Sequence, residues 1–189
     1  MEITLFWKIL VYGWVASETL LVFATRTRRS RGKVNDRGSL IILLAAIALS
    51  IFAGEKVRAS LGPNLPFSAQ AMTTAAIAVM VVGMALRWTA ILSLGKRFSS
   101  NVAIRSNQTF HQGGIYRLVR HPAYTGSLAM FLAIGIQEGN WIACLAVMAP
   151  VTCAILYRIH VEEAALNEAF DAQYASYTKR TKRLIPGIY

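Results

Sequence analysis

Residues 123–158 read AYTGSLAMFLAIGIQEGNWIACLAVMAPVTCAILYR, two mostly apolar runs separated by Glu138-Gly139-Asn140. A membrane-crossing helix needs roughly 20 predominantly apolar residues, so the stretch is long enough to cross a bilayer and return. The glycine-centred polar break supplies the turn. Such a hairpin brings its two flanks to one membrane surface. Arg120-His121-Pro122-Ala123-Tyr124 opens it, and Arg158-Ile159-His160-Val161-Glu162-Glu163 closes it. Lipid-facing helices do not need ionisable and aromatic groups gathered at one mouth, so a site there is the leading hypothesis.

Outward from the hairpin, hydropathy places three more spans at about 3–24, 39–53 and 68–94, beside 123–137 and 141–158. The fold class is therefore all-α: a polytopic membrane protein with about five transmembrane helices, the last two a hairpin. With 55% hydrophobic and only 15% charged residues, the composition matches that class and not a soluble domain. A formal charge of +11 ordinarily suggests nucleic acid or an anionic surface. Here the basic residues sit in short segments between apolar runs. That distribution excludes nucleic acid and leaves orientation and contact with membrane lipids.

The first apolar run lacks a basic start and a small-residue cleavage site, so it is read as a retained span. Cys144 and Cys153 lie nine residues apart on one expected helix, on opposite faces and about 13 Å apart along the axis. No disulfide joins them, and no metal motif is present.

Loop charges orient the bundle. Residues 25–38 carry Arg26, Arg28, Arg29, Arg31, Lys33 and Arg37 against Asp36, and residues 95–122 carry Lys96, Arg97, Arg105, Arg117 and Arg120. The loop at 54–67 has only Glu55, Lys56 and Arg58. The expectation is an outside N-terminus and a cytoplasmic C-terminus, with the hairpin mouth on the cytoplasmic side. Beyond Arg158, acidic residues alternate with Ala165, Leu166, Phe170 and Tyr174 at helical spacing. The fifth helix is expected to run on as an amphipathic cytoplasmic helix, followed by an interfacial tail. The whole of 1–189 reads as one domain.

Two constellations carry chemistry, each beside a plainer reading. In 110–126, Gly113-Gly114 permits a tight turn, and Pro122 suits the first turn of a helix. His121 then stands at a helix start whose open backbone donors suit a carboxylate. The plainer reading is a capping turn with snorkelling Arg117 and Arg120. In the second constellation, Arg158 and Glu162 share a helix face. Either they form a surface ion pair of little value, or Glu162 holds an ammonium while Arg158 holds an acidic substrate group. Spacing does not decide.

Residues 94–189 resemble the isoprenylcysteine carboxyl methyltransferase family, within a wider group that includes phospholipid N-methyltransferases. The likeness rests on Gly114-x-Tyr116, Arg120-His121-Pro122-x-Tyr124-x-Gly126 and Arg158 followed by Glu162-Glu163-x-x-Leu166. Phe170, Tyr174-x-x-Tyr177 and Arg183-Leu184-Ile185-Pro186 complete it. The N-terminal half matches only as apolar spans. The resemblance implies a membrane methyltransferase using S-adenosyl-L-methionine, with cofactor and substrate handled by about 95–189. Cofactor contacts would fall on Ile104, Gln108, Thr109, Phe110, His111, Tyr116, His121, Pro122, Ala123, Tyr124 and Glu162. Arg158 would bind the substrate carboxylate and be the catalytic residue.

Two departures stand out: Gln108-Thr109-Phe110-His111 replaces the family's frequent His-x-Leu-Val, and Ile115 replaces a frequent proline. The implied acceptor is a lipid-like or prenylated molecule drawn from the bilayer, most simply an isoprenylcysteine carboxylate. A carboxylate is already ionised at neutral pH and needs no general base. An amine needs a base and is hindered by a neighbouring arginine, so Arg158 favours carboxyl methylation over phospholipid or small-lipid N-methylation. A small membrane transporter is the non-enzymatic alternative, but its polar residues would spread through several spans.

Glu18 and Arg87 lie at equal depth, roughly 10 Å inside their spans. An ion pair between the first and third helices is the favoured reading, against a substrate role.

Overall fold

The computed structural model describes residues 2–25, 33–34, 36–100, 102–104 and 111–189. Five helices build it: α1 (Glu2–Thr25), α2 (Ser39–Leu61), α3 (Ala69–Leu94), α4 (Pro122–Gln137) and α5 (Trp141–Arg180). Strands β1 (Lys33–Val34) and β2 (Ala103–Ile104) form a two-residue antiparallel clip, with Lys33 opposite Ile104. The fold is otherwise helical, as expected.

Four helices, α1, α2, α3 and α5, are long and apolar enough to cross a membrane. Their outward faces carry Leu20, Phe23, Ile41, Leu92 and Leu145, all exposed, which is the inverse of a water-soluble surface. The chain is a multi-pass membrane protein. At 16 residues, about 24 Å, α4 is shorter than a perpendicular crossing requires. It is wedged instead between α3 and α5, which bury its Met130, Phe131 and Ala133.

The α3–α4 contact depends on absent side chains. A Cβ on Gly126 would sit 2.6 Å from the Gly83 carbonyl oxygen, and one on Gly83 would sit 2.8 Å from the Gly126 carbonyl oxygen. Two glycines let the backbones touch, the small-residue packing of membrane helices. That approach sets Arg87, one turn beyond Gly83, against the start of α4.

One boundary differs from expectation. Helix α2 runs past residue 53 to Leu61, because Glu55, Lys56 and Arg58 are accommodated and not expelled. Lys56 lies over the Phe52 ring at 5.5 Å, and Arg58 approaches Glu138 at 3.7 Å. The stop comes at Gly62, whose φ of 66° with ψ of −178° suits glycine and whose N–H donates to the Arg58 carbonyl. Helix α5 continues to Arg180 as foreseen, with a break at Asp171, whose φ of 38° and ψ of −116° are non-helical. The tail after Arg180 folds back onto the start of α4.

Asn140 caps α5 by accepting from the Ile142 and Ala143 N–H groups, while its own amide donates to the Gly62 carbonyl at 2.6 Å. The 62–68 and 138–141 turns therefore meet at one end of the bundle. The ends of α1 and α3 and the starts of α2 and α4 meet at the other, alongside Arg158 of α5.

Candidate functional site

The turn before α4 is built around Gly113 and Gly114. A Cβ on Gly113 would lie 3.1 Å from His111 Cε1, so the bare glycine lets the imidazole fold over the chain. His111 meets the Tyr116 ring edge-on at 5.5 Å. The Tyr116 hydroxyl donates to the Ala90 carbonyl, and its own carbonyl accepts from the Tyr177 hydroxyl at 2.6 Å. Among the described residues, His111 Nε2 is buried without a hydrogen-bond partner.

Pro122 occupies the first turn of α4 with His121 as N-cap. Two of the backbone donors beside His121 are taken. Arg120 N–H donates to the Lys182 carbonyl at 2.8 Å and His121 N–H to the Arg183 carbonyl at 2.9 Å. Thr125 Oγ1 adds a bond to the Leu184 carbonyl at 2.8 Å. The physical reason is the tail: residues 182–184 run alongside 119–121, a pairing between distant segments that local spacing does not encode.

Glu163, in the part of α5 beyond the apolar segment, gathers three elements. It accepts from Arg120 Nε at 2.9 Å, from Arg183 Nε at 2.9 Å, and faces His121 Nε2 at 3.2 Å. Burial opposes its ionisation, but the hydrogen bonds from His121, Arg183 and Arg120 outweigh that and hold its carboxyl well below the usual carboxylate range. Arg117, by contrast, is exposed.

Arg158 is buried at 3% exposure and does not bond Glu162 directly. The Tyr124 hydroxyl stands between them, accepting from Arg158 Nε at 2.8 Å and donating to Glu162 Oε2 at 2.8 Å. The remaining Arg158 bonds go to Asp36 Oδ1 at 3.2 Å, Ser39 Oγ at 3.0 Å and the Ser100 carbonyl at 2.5 Å. Asp36 also accepts from the Val102 and Leu40 N–H groups. Burial raises its pKa, yet those two backbone donors and Arg158 lower it further than burial raises it. Asp36, Ser39 and Ser100 were not among the expected site residues. Only the lone acidic residue in a basic loop hinted at the first.

These groups line one end of a cavity of about 470 Å³, within the range of small-molecule sites. His111, Tyr116, His121, Ala123, Tyr124, Arg158 and Glu162 all face it. Pro122 is buried behind it. Ile104 lies in β2, and Gln108, Thr109 and Phe110 fall outside the described residues. The other end is apolar, with Trp14, Leu43, Ile47, Phe131 and Ile155 from α1, α2, α4 and α5. The N-terminal half therefore builds part of the wall, which its plain apolar sequence did not signal.

Between the two ends lies the expected ion pair. Arg87 bonds both carboxylate oxygens of Glu18, and also Ser127 Oγ at 2.8 Å and the Ala123 carbonyl at 3.3 Å. Trp14 Nε1 supports Glu18 at 3.3 Å. Both charges line the cavity as well as pairing, so the two readings of this pair are compatible.

Fold and site together define a multi-pass helical membrane protein whose bundle holds a ligand-sized, half-polar cavity at one end. Residues 76–168 match the family model described as the isoprenylcysteine carboxyl methyltransferase (ICMT) family, and over that region the chain is similar to it. Protein-S-isoprenylcysteine O-methyltransferase B of Arabidopsis thaliana is 30% identical over 115 residues, covering 59% of this chain and 58% of that protein. Protein-S-isoprenylcysteine O-methyltransferase of Schizosaccharomyces pombe is 32% identical over 117 residues, covering 61% and 50%. The chain thus matches about half the length of these relatives. A solved structure of the eukaryotic intramembrane Ras methyltransferase ICMT shares the fold, with a TM-score of 0.58 at 24% identity over 77% of this chain and 52% of that one.

Proposed function

We propose that this chain is an S-adenosylmethionine-dependent membrane methyltransferase that methylates the carboxylate of an isoprenylcysteine-like molecule entering from the bilayer. The observation that carries this reading is the two-ended cavity: an apolar end between α1, α2 and α5, and a polar end holding Arg158, Tyr124 and Glu162. An acceptor with a hydrocarbon tail and an ionised head matches both ends at once.

The polar end also suits the cofactor. Glu162 accepts one hydrogen bond, from Tyr124, which leaves carboxylate capacity for an ammonium group. Among the described residues His111 Nε2 is buried without a partner, and a buried polar atom of that kind calls for a ligand group. Glu162, His111 and Tyr116 would hold the cofactor, with Ala123 and Tyr124 at the start of α4. When bound, S-adenosylmethionine supplies an electrophilic methyl group whose transfer to a carboxylate oxygen leaves a neutral thioether and moves no proton. The chain's own work is then alignment and exclusion of water. Arg158 orients the acceptor carboxylate, and Tyr124 keeps its guanidinium beside Glu162. Clustered Lys and Arg in the loops at the polar end support a cytoplasmic site and an outside N-terminus.

Calorimetric titration of the detergent-solubilised protein with S-adenosylmethionine and S-adenosylhomocysteine tests the reading. Micromolar binding, lost in Glu162→Ala, is expected, followed by labelled-methyl transfer to prenylcysteine analogues in preference to phospholipids. Equal cofactor affinity in parent and Glu162→Ala would remove the core of the assignment.

A further inference from the structure

Arg158 presents five N–H donors. Four bonds are formed among the described residues: Nε to Tyr124, Nη1 to Asp36 and to Ser39, and Nη2 to the Ser100 carbonyl. One Nη2 hydrogen remains. Tyr124 and Ser100 line the cavity, whereas Asp36 and Ser39 do not. The guanidinium is therefore gripped from behind at Nη1 and meets the cavity along its Nε–Nη2 edge. Its rear partner is a carboxylate held by Ser39 Oγ at 3.1 Å, Leu40 N–H at 3.1 Å and Val102 N–H at 3.0 Å, so Asp36 is itself fixed by α2 and by Val102.

We infer that Asp36 is a positioning and charge-balancing residue for Arg158, turning one guanidinium edge toward the acceptor carboxylate and keeping their pairing weak enough for that carboxylate to react. The inference rests on the carboxylate-acceptor reading above. Its chemistry follows from opposing demands on a nucleophile that must be held and must also leave its counter-ion. An arginine free to form a bidentate pair would stabilise the ground-state carboxylate and lower its nucleophilicity, since an interaction lost on the way to the transition state slows the reaction. With one N–H available and a carboxylate behind it, Arg158 offers the acceptor a single hydrogen bond and a reduced charge. Buried arginine needs such a counter-ion in any case, but one carboxylate placed on the cavity side would have done that and blocked the acceptor. Asp36 supplies the charge from the side facing away.

The test compares Asp36→Asn with Ser39→Ala, which removes a neutral partner of the same Nη1. Asparagine with its oxygen at the Oδ1 position keeps the acceptor for Nη1, Val102 N–H and Ser39 Oγ while removing the charge, and gives up only the Leu40 N–H bond at Oδ2. Binding of N-acetyl-S-farnesylcysteine and of its carboxamide is measured on protein saturated with S-adenosylhomocysteine, together with KM and kcat. In Asp36→Asn the carboxylate ligand should bind at least about fivefold tighter, as removal of one nearby negative charge requires, while the carboxamide is unchanged. KM and kcat should both fall. Ser39→Ala, which loosens the same grip but keeps the Asp36 charge, should change the carboxylate-to-carboxamide ratio less than Asp36→Asn does. An unchanged ratio in Asp36→Asn, or parallel weakening of both ligands with a lower Tm, overturns the inference and reduces Asp36 to a structural cap. A parent protein that binds cofactor but does not prefer the carboxylate to the carboxamide overturns the acceptor reading itself, and the inference with it.

Discussion

The Tyr124 hydroxyl joins Arg158 to Glu162, accepting from one and donating to the other at 2.8 Å each. A single phenol on α4 thereby keeps the positive and negative groups of α5 near each other without a direct ion pair. Two charges four residues apart on a helix would otherwise tend to pair and present a neutral face to the cavity.

Tyr124→Phe isolates that role. The ring stays and the hydroxyl goes, so the fold should lose only about 1–2 kcal/mol, the usual effect of one buried hydrogen-bonded group. Arg158 Nε and Glu162 Oε2 then lose their common partner and can meet each other. Turnover should fall by at least tenfold while the protein still unfolds cooperatively. Full turnover in Tyr124→Phe would mean that the link is packing alone.

The Glu18–Arg87 pair is suited to a double-mutant cycle. Removing one partner leaves a charge inside a membrane-embedded bundle, which costs about 3 kcal/mol or more; partial exposure to the cavity reduces that toward about 2 kcal/mol. Glu18→Gln and Arg87→Gln should each lower thermal stability more than the double substitution does. Simple additivity of the two losses would show that the charges do not depend on each other.

Legibility in the sequence followed the range of the interaction. Helix existence and the hairpin were readable from apolar run lengths, Pro122 and the Glu138-Gly139-Asn140 break, because hydropathy is local. The equal depth of Glu18 and Arg87 was likewise readable, since helix rise is constant. The overrun of α2 past Glu55, Lys56 and Arg58 was not, because snorkelling, cation–π contact and a distant Glu138 decide whether charges end a helix. Nor were the partners of Arg158 and Glu163. Asp36 lies 122 residues from Arg158, and Arg183 reaches Glu163 only because the tail turns back along α4. Motifs marked His121, Glu162 and Arg158 as members of a site; only packing gives their hydrogen-bond partners.

Glu163 should set the acid limb of stability. Its folded-state pKa is depressed, so its contribution is fully present above the unfolded carboxyl value near 4.5 and fades as pH falls through the lower folded value. Glu163→Gln should therefore be less stable than the parent at neutral pH, with the difference shrinking steadily below about pH 4. Thermal unfolding of both proteins from pH 7 to pH 3 measures it. A difference independent of pH would show that the amide replaces the carboxylate fully toward Arg120, His121 and Arg183.

His111 separates ligand binding from folding. Its Nε2 is buried and unpartnered among the described residues, so in the absence of ligand it forfeits a hydrogen bond and contributes desolvation cost without return. Substituting leucine removes that cost while keeping an apolar side chain against Tyr116. His111→Leu should therefore match or exceed the parent in thermal stability, by up to about 1 kcal/mol, and bind S-adenosylmethionine about tenfold more weakly, the loss of one buried hydrogen bond to a ligand. His111→Gln, which restores a polar end, should recover part of the affinity. The three outcomes distinguish a ligand-facing imidazole from a packing one: if leucine lowers stability and leaves cofactor affinity intact, the ring serves the turn at Gly113 and not the cavity.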